Sequence, residues 1–394
     1  MYIELKGVEF SNKGAELMLH SIVQRLDQHF DDYELVLCPG HLSPYKQRAR
    51  LGAWQKFSFK LLGVDWTALG NLAPKPLRRL LRHFGIVVEK EIDWVLDASG
   101  FVYSDKWGPA QLLETLAHLK RIRKHGSRYL FLSQAFGPFE NSKNAALMKQ
   151  LIERADLVIA RDDDSLQSLL ALGDKAKIAC YPDFTPSLDT SGVSLELQVP
   201  RDFVCIIPNN KMYKHKGPEV KKRYLAFLVE AVQSVEALGL TPVVLNHEGV
   251  KDRKLCAELI ALLPHKPQFV DGLDAPQVKK LIGMAVFNLS SRFHGCVSSL
   301  SQGIPTLATS WGHKYEQLYR YYECDDDLLD IYLSDTCLQG TGLQEKAQPQ
   351  SKMQQVMAQI LADRNARSSA LKLRAKAHQQ SIDQMWAEVF ERIK

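Results

Sequence analysis

No stretch of the sequence approaches about eighteen uninterrupted apolar residues, so no segment reads as a membrane span. The N-terminus, MYIELKGVEF, lacks the charged start and apolar run of a secretion signal and reads as a strand, which points to a cytoplasmic protein. No Cys-x-x-Cys pair occurs. The seven cysteines (Cys38, Cys180, Cys205, Cys256, Cys296, Cys324 and Cys337) are odd in number and scattered, which removes the disulfide and zinc readings and leaves reduced thiols. Gly-x-Gly-x-x-Gly is missing, so a dinucleotide site is disfavoured. Without Gly-x-Ser-x-Gly an α/β-hydrolase is disfavoured too. Neither His-Glu-x-x-His nor an Asp-x-Asp closed by apolar strands is present, so no bound metal is expected. A strong charge excess is also lacking: the net +5 suits anionic small ligands or a membrane surface and is too weak to imply nucleic acid.

What is present is a chain of 394 residues, 45% apolar and 24% charged, long enough for two ordinary cores. Short apolar runs closed by turn residues alternate with amphipathic stretches from end to end. YIELKGV, ELVLC, DWVLDAS, RYLFLS, DLVIA and KIACY come first; DFVCII, TPVVLN, PQFV, AVFNLS and PTLATS follow. Runs of this kind suit strands buried on both faces, and intervening stretches such as 218–238 and 275–283 suit crossover helices. The expectation is an α/β protein with two doubly wound, Rossmann-like domains facing a cleft. The Pro-, Ser- and Thr-rich segment 183–200 reads as the linker, giving domains at 1–185 and 200–348 and a C-terminal helical segment at 349–394.

In open α/β sheets ligands bind beyond the carboxyl ends of the strands, so the loops there carry the candidates. Ser290-Ser291-Arg292-Phe293-His294-Gly295 follows AVFNLS and opens a helix. Helix-start N–H groups, the planar fork of Arg292 and the titratable His294 together suit an anionic ligand and proton transfer. The plainer reading pairs Arg292 with a carboxylate and packs His294. One unit later stands Thr309-Ser310-Trp311-Gly312-His313-Lys314, where His313 and Lys314 can face the same ligand or simply be a solvated helix start. In the first half, Asn12, Lys13, Gly14 and Glu16 lie at a strand–turn–helix that is either a capped turn or a substrate loop. Ser99-Gly100, Gln134 and Arg161 each close a strand in the same half, where ordinary turn chemistry is the alternative.

Taken in order, these pieces resemble the polysaccharide pyruvyl transferase family. The carriers are Asn12-x-Gly14-Ala15-Glu16, Ser99-Gly100, Gln134 to Pro138, Arg161-Asp162-x-x-Ser165, Pro182-Asp183, Ser291-Arg292-x-His294-Gly295, and Gly303-Ile304-Pro305 through Lys314. At Asp97 to Gly100 the chain departs from the glycine run of many members. The resemblance implies a fold like the B-type glycosyltransferases, with the acceptor on the N-terminal domain and the donor on the C-terminal one. It implies a transferase that takes phosphoenolpyruvate as co-substrate, needs no further cofactor, and builds a pyruvate ketal on a sugar or lipid-linked glycan. By position it implies His294 as general acid, with Arg292 beside it, and Arg161, Arg292, Ser291, His313 and Lys314 around the donor. Asn12, Lys13, Gly14, Glu16, Ser99, Gly100 and Gln134 would then face the acceptor. A nucleotide-sugar glycosyltransferase of the same architecture is the alternative, and a glycan-binding protein without turnover is a third.

One motif stands outside this scheme. In Lys75 to Phe84 (KPLRRLLRHF), Leu77, Leu80, Leu81 and Phe84 share a helical face beside Arg78, Arg79, Arg82 and His83. Two readings stay open: the leucines pack on the first domain, or the helix rests on the anionic inner face of a membrane.

Overall fold

Strands whose alternating positions are all apolar must be covered on both sides, and that is how this chain folds. In the strand Arg128–Gln134, Leu130 and Leu132 enter one core while Tyr129 and Phe131 enter another. The structure, a computed structural model, describes residues 1–61, 64–214, 216–310, 314–329 and 351–393. They fall into two compact units, residues 1–188 with 380–394, and residues 189–379.

The first unit holds β1 (Tyr2–Lys6), β2 (Glu34–Leu37), β3 (Trp54–Lys56), a small antiparallel pair β4 (Lys60–Leu61) and β5 (Val64–Asp65), β6 (Ile86–Val87), β7 (Trp94–Asp97), β8 (Arg128–Gln134), β9 (Leu157–Ala160) and β10 (Ile178–Cys180). Its main sheet is parallel throughout, in the order β10-β9-β8-β7-β1-β2-β3-β6. The second unit holds β11 (Phe203–Ile207), β12 (Thr241–Leu245), β13 (Gln268–Val270), β14 (Phe287–Ser290), β15 (Thr306–Thr309) and β16 (Leu328–Leu329), ordered β13-β12-β11-β14-β15-β16 and again parallel. Both sheets therefore reverse their order once, between β1 and β7 and between β11 and β14. At such a point neighbouring crossovers leave in opposite directions and open a crevice at the carboxyl edge. Sequence patterning passes over β3, β6 and β16, which are edge or near-edge strands of two or three residues with no room for a recognisable period.

Each sheet is sandwiched. In the first unit Leu19, Ile22 and Leu26 of the helix Lys13–His29 cover one face, and Leu112, Leu116 and Leu119 of Ala110–Arg123 cover the other. In the second, Phe227, Leu228 and Ala231 of Pro218–Ala237 and Met353, Met357 and Ile360 of Lys352–Ala362 cover one face. Val278, Leu281 and Ile282 of Ala275–Met284 cover the other, and that helix is opened by a reciprocal cap between Asp274 and Gln277. The C-terminal helices do not make a body of their own. Early in the helix Arg364–Ile393, Leu371 packs in the second unit, whereas Ile382, Met385, Trp386 and Val389 complete the first unit's core. The six described cysteines are all free thiols.

Candidate functional site

The carboxyl edge of the second sheet is built around the reversal point. After β11, the Asn209 side-chain amide donates to the Ser291 carbonyl after β14 at 2.7 Å, and the Tyr315 hydroxyl donates to the same oxygen at 2.8 Å. Ser291 itself is fully buried: its hydroxyl accepts from Tyr224 and pairs with Thr309, both at 2.6 Å. The resemblance places Ser291 around the donor; in the structure its hydroxyl is engaged by two neighbouring hydroxyls and helps hold the turn. A Cβ at Gly295 would stand 2.6 Å from the Ser290 hydroxyl, which explains why the helix Phe293–Leu300 needs a glycine where it passes β14.

Arg292 occupies the cap position of that helix and is 6% exposed. Its guanidinium is held twice. Nε donates to Asp252 Oδ2 at 2.7 Å, Nη2 reaches the same oxygen at 2.5 Å, and Nη1 pairs with Glu248. Asp252 is fully buried, and its other oxygen accepts from the Asn210 backbone and side chain at 3.0 and 2.5 Å. The carboxylate pairing set out above as the plainer reading of Arg292 is thus present. Glu248 is the more exposed of the two partners, with 24% of its side chain open. His294, two residues on, is half-buried with its ring edge-on to Phe293 at 5.3 Å. Lys314 begins the helix Lys314–Tyr321, and its ammonium lies 4.4 Å from the centre of the Phe293 ring. Arg292, His294 and Lys314 are therefore gathered around one helix start, with Ser291 beneath. His313 lies outside the described residues. Sequence reading missed Asn209, Asn246, His247, Glu248 and Asp252. The signal was available, since His247-Glu248-Gly249 follows TPVVLN at a strand-to-helix turn of the kind that singled out Arg292. Asn246 donates to Asp271 at 2.7 Å while its buried Oδ1 has no hydrogen-bond partner among the described residues.

The first unit's edge is also tight at its reversal point. Gly7 has φ +79° and passes so close to the loop after β7 that a Cβ would meet Ser99 Cα at 2.3 Å. Asp97, at the end of β7, is a buried hub. Its carboxylate accepts from the Ser99 backbone and hydroxyl (3.0 and 2.6 Å), from Tyr103 (2.5 Å) and from Tyr129, with Lys6 at 3.8 Å. Burial, with Asp97 beside them, pushes the Tyr103 and Tyr129 phenols well above their usual range. Burial lowers the Lys6 ammonium, against the pull of Asp97.

Most of the acceptor candidates have their side chains engaged, Ser99 and Gln134 with Asp97 itself. Asn12 caps the helix Lys13–His29 through Gly14 (2.9 Å) and Ala15 (3.4 Å), and Lys13 pairs with Glu16. Gln134 is fully buried and donates to the Asp97 carbonyl at 3.1 Å, leaving its Oε1 buried without a hydrogen-bond partner among the described residues. Gly100 has φ +77°. Arg161, at the end of β9, has a guanidinium nitrogen 3.7 Å from Asp183, and its backbone donates to the Gln134 carbonyl. Asn12, Ser99 and Arg161 thus follow β1, β7 and β9, and Gln134 ends β8; the four strands are neighbours in the sheet.

A family model described as polysaccharide pyruvyl transferase matches residues 12–313 of the chain. No curated protein sequence matches it significantly. Among solved structures, the UDP-GlcNAc 2-epimerase of Neisseria meningitidis bound to UDP-GlcNAc superposes with a TM-score of 0.57 at 10% identity, covering 98% of this chain and 100% of that one. Another UDP-N-acetylglucosamine 2-epimerase gives 0.60 at 10% identity, covering 100% and 97%. Phytolacca americana UGT2 complexed with UDP-2-fluoro-glucose and pterostilbene gives 0.52 at 10% identity, covering 98% of both chains. At such identities the likeness is one of fold, that of the B-type glycosyltransferases and epimerases.

Proposed function

The chain belongs to the polysaccharide pyruvyl transferase family and is a transferase, and from that premise we propose that it moves a pyruvyl group from phosphoenolpyruvate to a hydroxyl pair of a sugar or lipid-linked glycan. The observation that carries this reading is the gathering of Arg292, His294 and Lys314 around one helix start at the point where the second sheet reverses its strand order. Phosphoenolpyruvate carries a carboxylate and a phosphate, and a site for it needs cations, helix-start N–H groups and one proton donor. His294 supplies the proton to the methylene carbon, leaving the central carbon an oxocarbenium-like electrophile. A sugar hydroxyl attacks that carbon and loses its proton, the C–O bond to phosphate breaks, and a second hydroxyl closes the ketal. Arg292 and Lys314 hold the donor anion. Arg161, on the first unit, is assigned to the donor as well, and Asn12, Lys13, Gly14, Glu16, Ser99, Gly100 and Gln134 to the acceptor loops. Since most of those side chains support the turns, backbone groups there are the natural contacts.

A nucleotide sugar is the second donor to test, because the Neisseria epimerase holds UDP-GlcNAc and the Phytolacca enzyme UDP-2-fluoro-glucose on the same fold. The deciding experiment is phosphate release from phosphoenolpyruvate against a panel of free and lipid-linked glycans, run beside the same panel with UDP-sugars. Phosphate release matched by a pyruvate ketal on the glycan supports the proposal. Consumption of a UDP-sugar with phosphoenolpyruvate untouched overturns it.

A further inference from the structure

The segment 66–84 offers apolar side chains to solvent where an amphipathic helix would ordinarily hide them. No residue of the helix Lys75–His83 is buried: of the apolar side chains on its stripe only Leu81 is half-covered, and the others face solvent. Leu80 is 53% exposed and Phe84, just past the helix end, 73%; Leu77 is exposed as well. The preceding 3-10 helix, Thr67–Leu72, adds Leu69 and Leu72, the latter 78% exposed, with Trp66 exposed at its start. One short turn, Glu89–Glu91, fixes both elements. Lys90 donates to the Asn71 and Ala73 carbonyls, and Glu91 pairs with Arg78 and Arg82. The two apolar tips are thus held on a common anchor, an arrangement that leaves a set of large side chains exposed to solvent among the described residues.

Charge selects the occupant. From Trp66 to Val88 the chain has four Lys or Arg residues, one His and no Asp or Glu. Arg78 and Arg82 are paired with Glu91, while Lys75, Arg79 and His83 stay exposed beside the apolar tips. A second copy of the chain would bring cations against cations. An anionic lipid surface meets the charges with opposite charge and takes the Trp, Leu and Phe tips into its interfacial layer. Among the described residues no helix is long and apolar enough to cross a membrane, so this contact lies on the surface of the bilayer. We propose that 66–84 is a peripheral docking surface for anionic lipid headgroups, a property independent of which donor the enzyme uses.

The test is co-sedimentation of the full chain with phosphatidylcholine vesicles of increasing phosphatidylglycerol content. Bound protein should rise with phosphatidylglycerol and fall with salt. Lys75→Glu with Arg79→Glu removes two cations, each contributing about fivefold in partitioning, and should weaken binding by roughly 20–30-fold or more. Leu80→Ser with Phe84→Ser should abolish binding at every lipid composition. All four side chains are exposed, so thermal unfolding of both variants should match the parent, separating lost docking from lost folding. Parent and variants sedimenting equally, or no sedimentation by the parent, overturns the proposal. So does a vesicle-free dimer that Phe84→Ser dissociates, which would assign the face to a second copy.

Discussion

If phosphoenolpyruvate is held by Arg292, its anion must compete with Glu248 for Nη1. Of the two carboxylates on the fork, Asp252 is buried and fixed by Asn210, so it orients the guanidinium and stays. Glu248 is the partner open to solvent and therefore the one that can leave. Replacing Glu248 by Gln keeps the side chain's shape and an acceptor oxygen but removes its charge. A hydrogen bond to a charged group is worth about 1.5–3 kcal/mol net, and partial exposure screens the ionic part, so the substitution should release about 1 kcal/mol of competition. That corresponds to roughly a fivefold lower KM for phosphoenolpyruvate, with the melting temperature close to the parent's. Asp252→Asn makes the contrast: it breaks a buried pair and should cost about 3–5 kcal/mol of stability without tightening donor binding. The assay is initial-rate phosphate release with phosphoenolpyruvate varied at saturating acceptor, paired with calorimetric donor binding. An unchanged or higher KM in Glu248→Gln, in a protein that melts like the parent, would refute the idea that Glu248 stands in the donor's place.

His294→Ala should lower turnover by about 10²–10⁴-fold while donor binding stays near the parent's, and near-normal turnover would remove it from the proton-transfer role. Gly7→Ala adds a methyl group 2.3 Å from Ser99 Cα at φ +79° and should cost at least about 2 kcal/mol, read as a lower urea midpoint; an unchanged midpoint would mean the two loops are not in contact. Burial holds the Lys6 ammonium below its ordinary 10.5, so below that value the unfolded chain takes up the proton more readily than the fold does. The cost of charging Lys6 in the fold is complete below its lowered folded-state pKa and fades as pH rises from there toward 10.5, so the parent's urea midpoint should gain on that of Lys6→Met as pH climbs to 10.5; a flat or opposite difference would contradict the assignment.

Turn chemistry is written locally, which is why Ser99, Gln134, Arg161 and Arg292 could each be placed at the carboxyl end of a strand from a few neighbouring residues. Strand order is not written locally. Nothing around Ser291 announces that Asn209, 82 residues earlier, will donate to its carbonyl, because that contact depends on which strands the crossovers bring together. The apolar stripe of 75–84 has the same period whether it meets a core or a solvent face, and only the anchoring of its neighbours to Glu89–Glu91 shows which. Trp386 likewise reads as part of any amphipathic helix, yet it is needed by a core whose other members begin at Ile3. Arg292 shows most clearly what this division means for function. Its residue type and helix-start position make it a candidate for an anion, and both were visible in the sequence. Asp252 and Glu248, 40 and 44 residues away, already engage that candidate, so an anion proposed to bind there would meet a competition as well as an attraction.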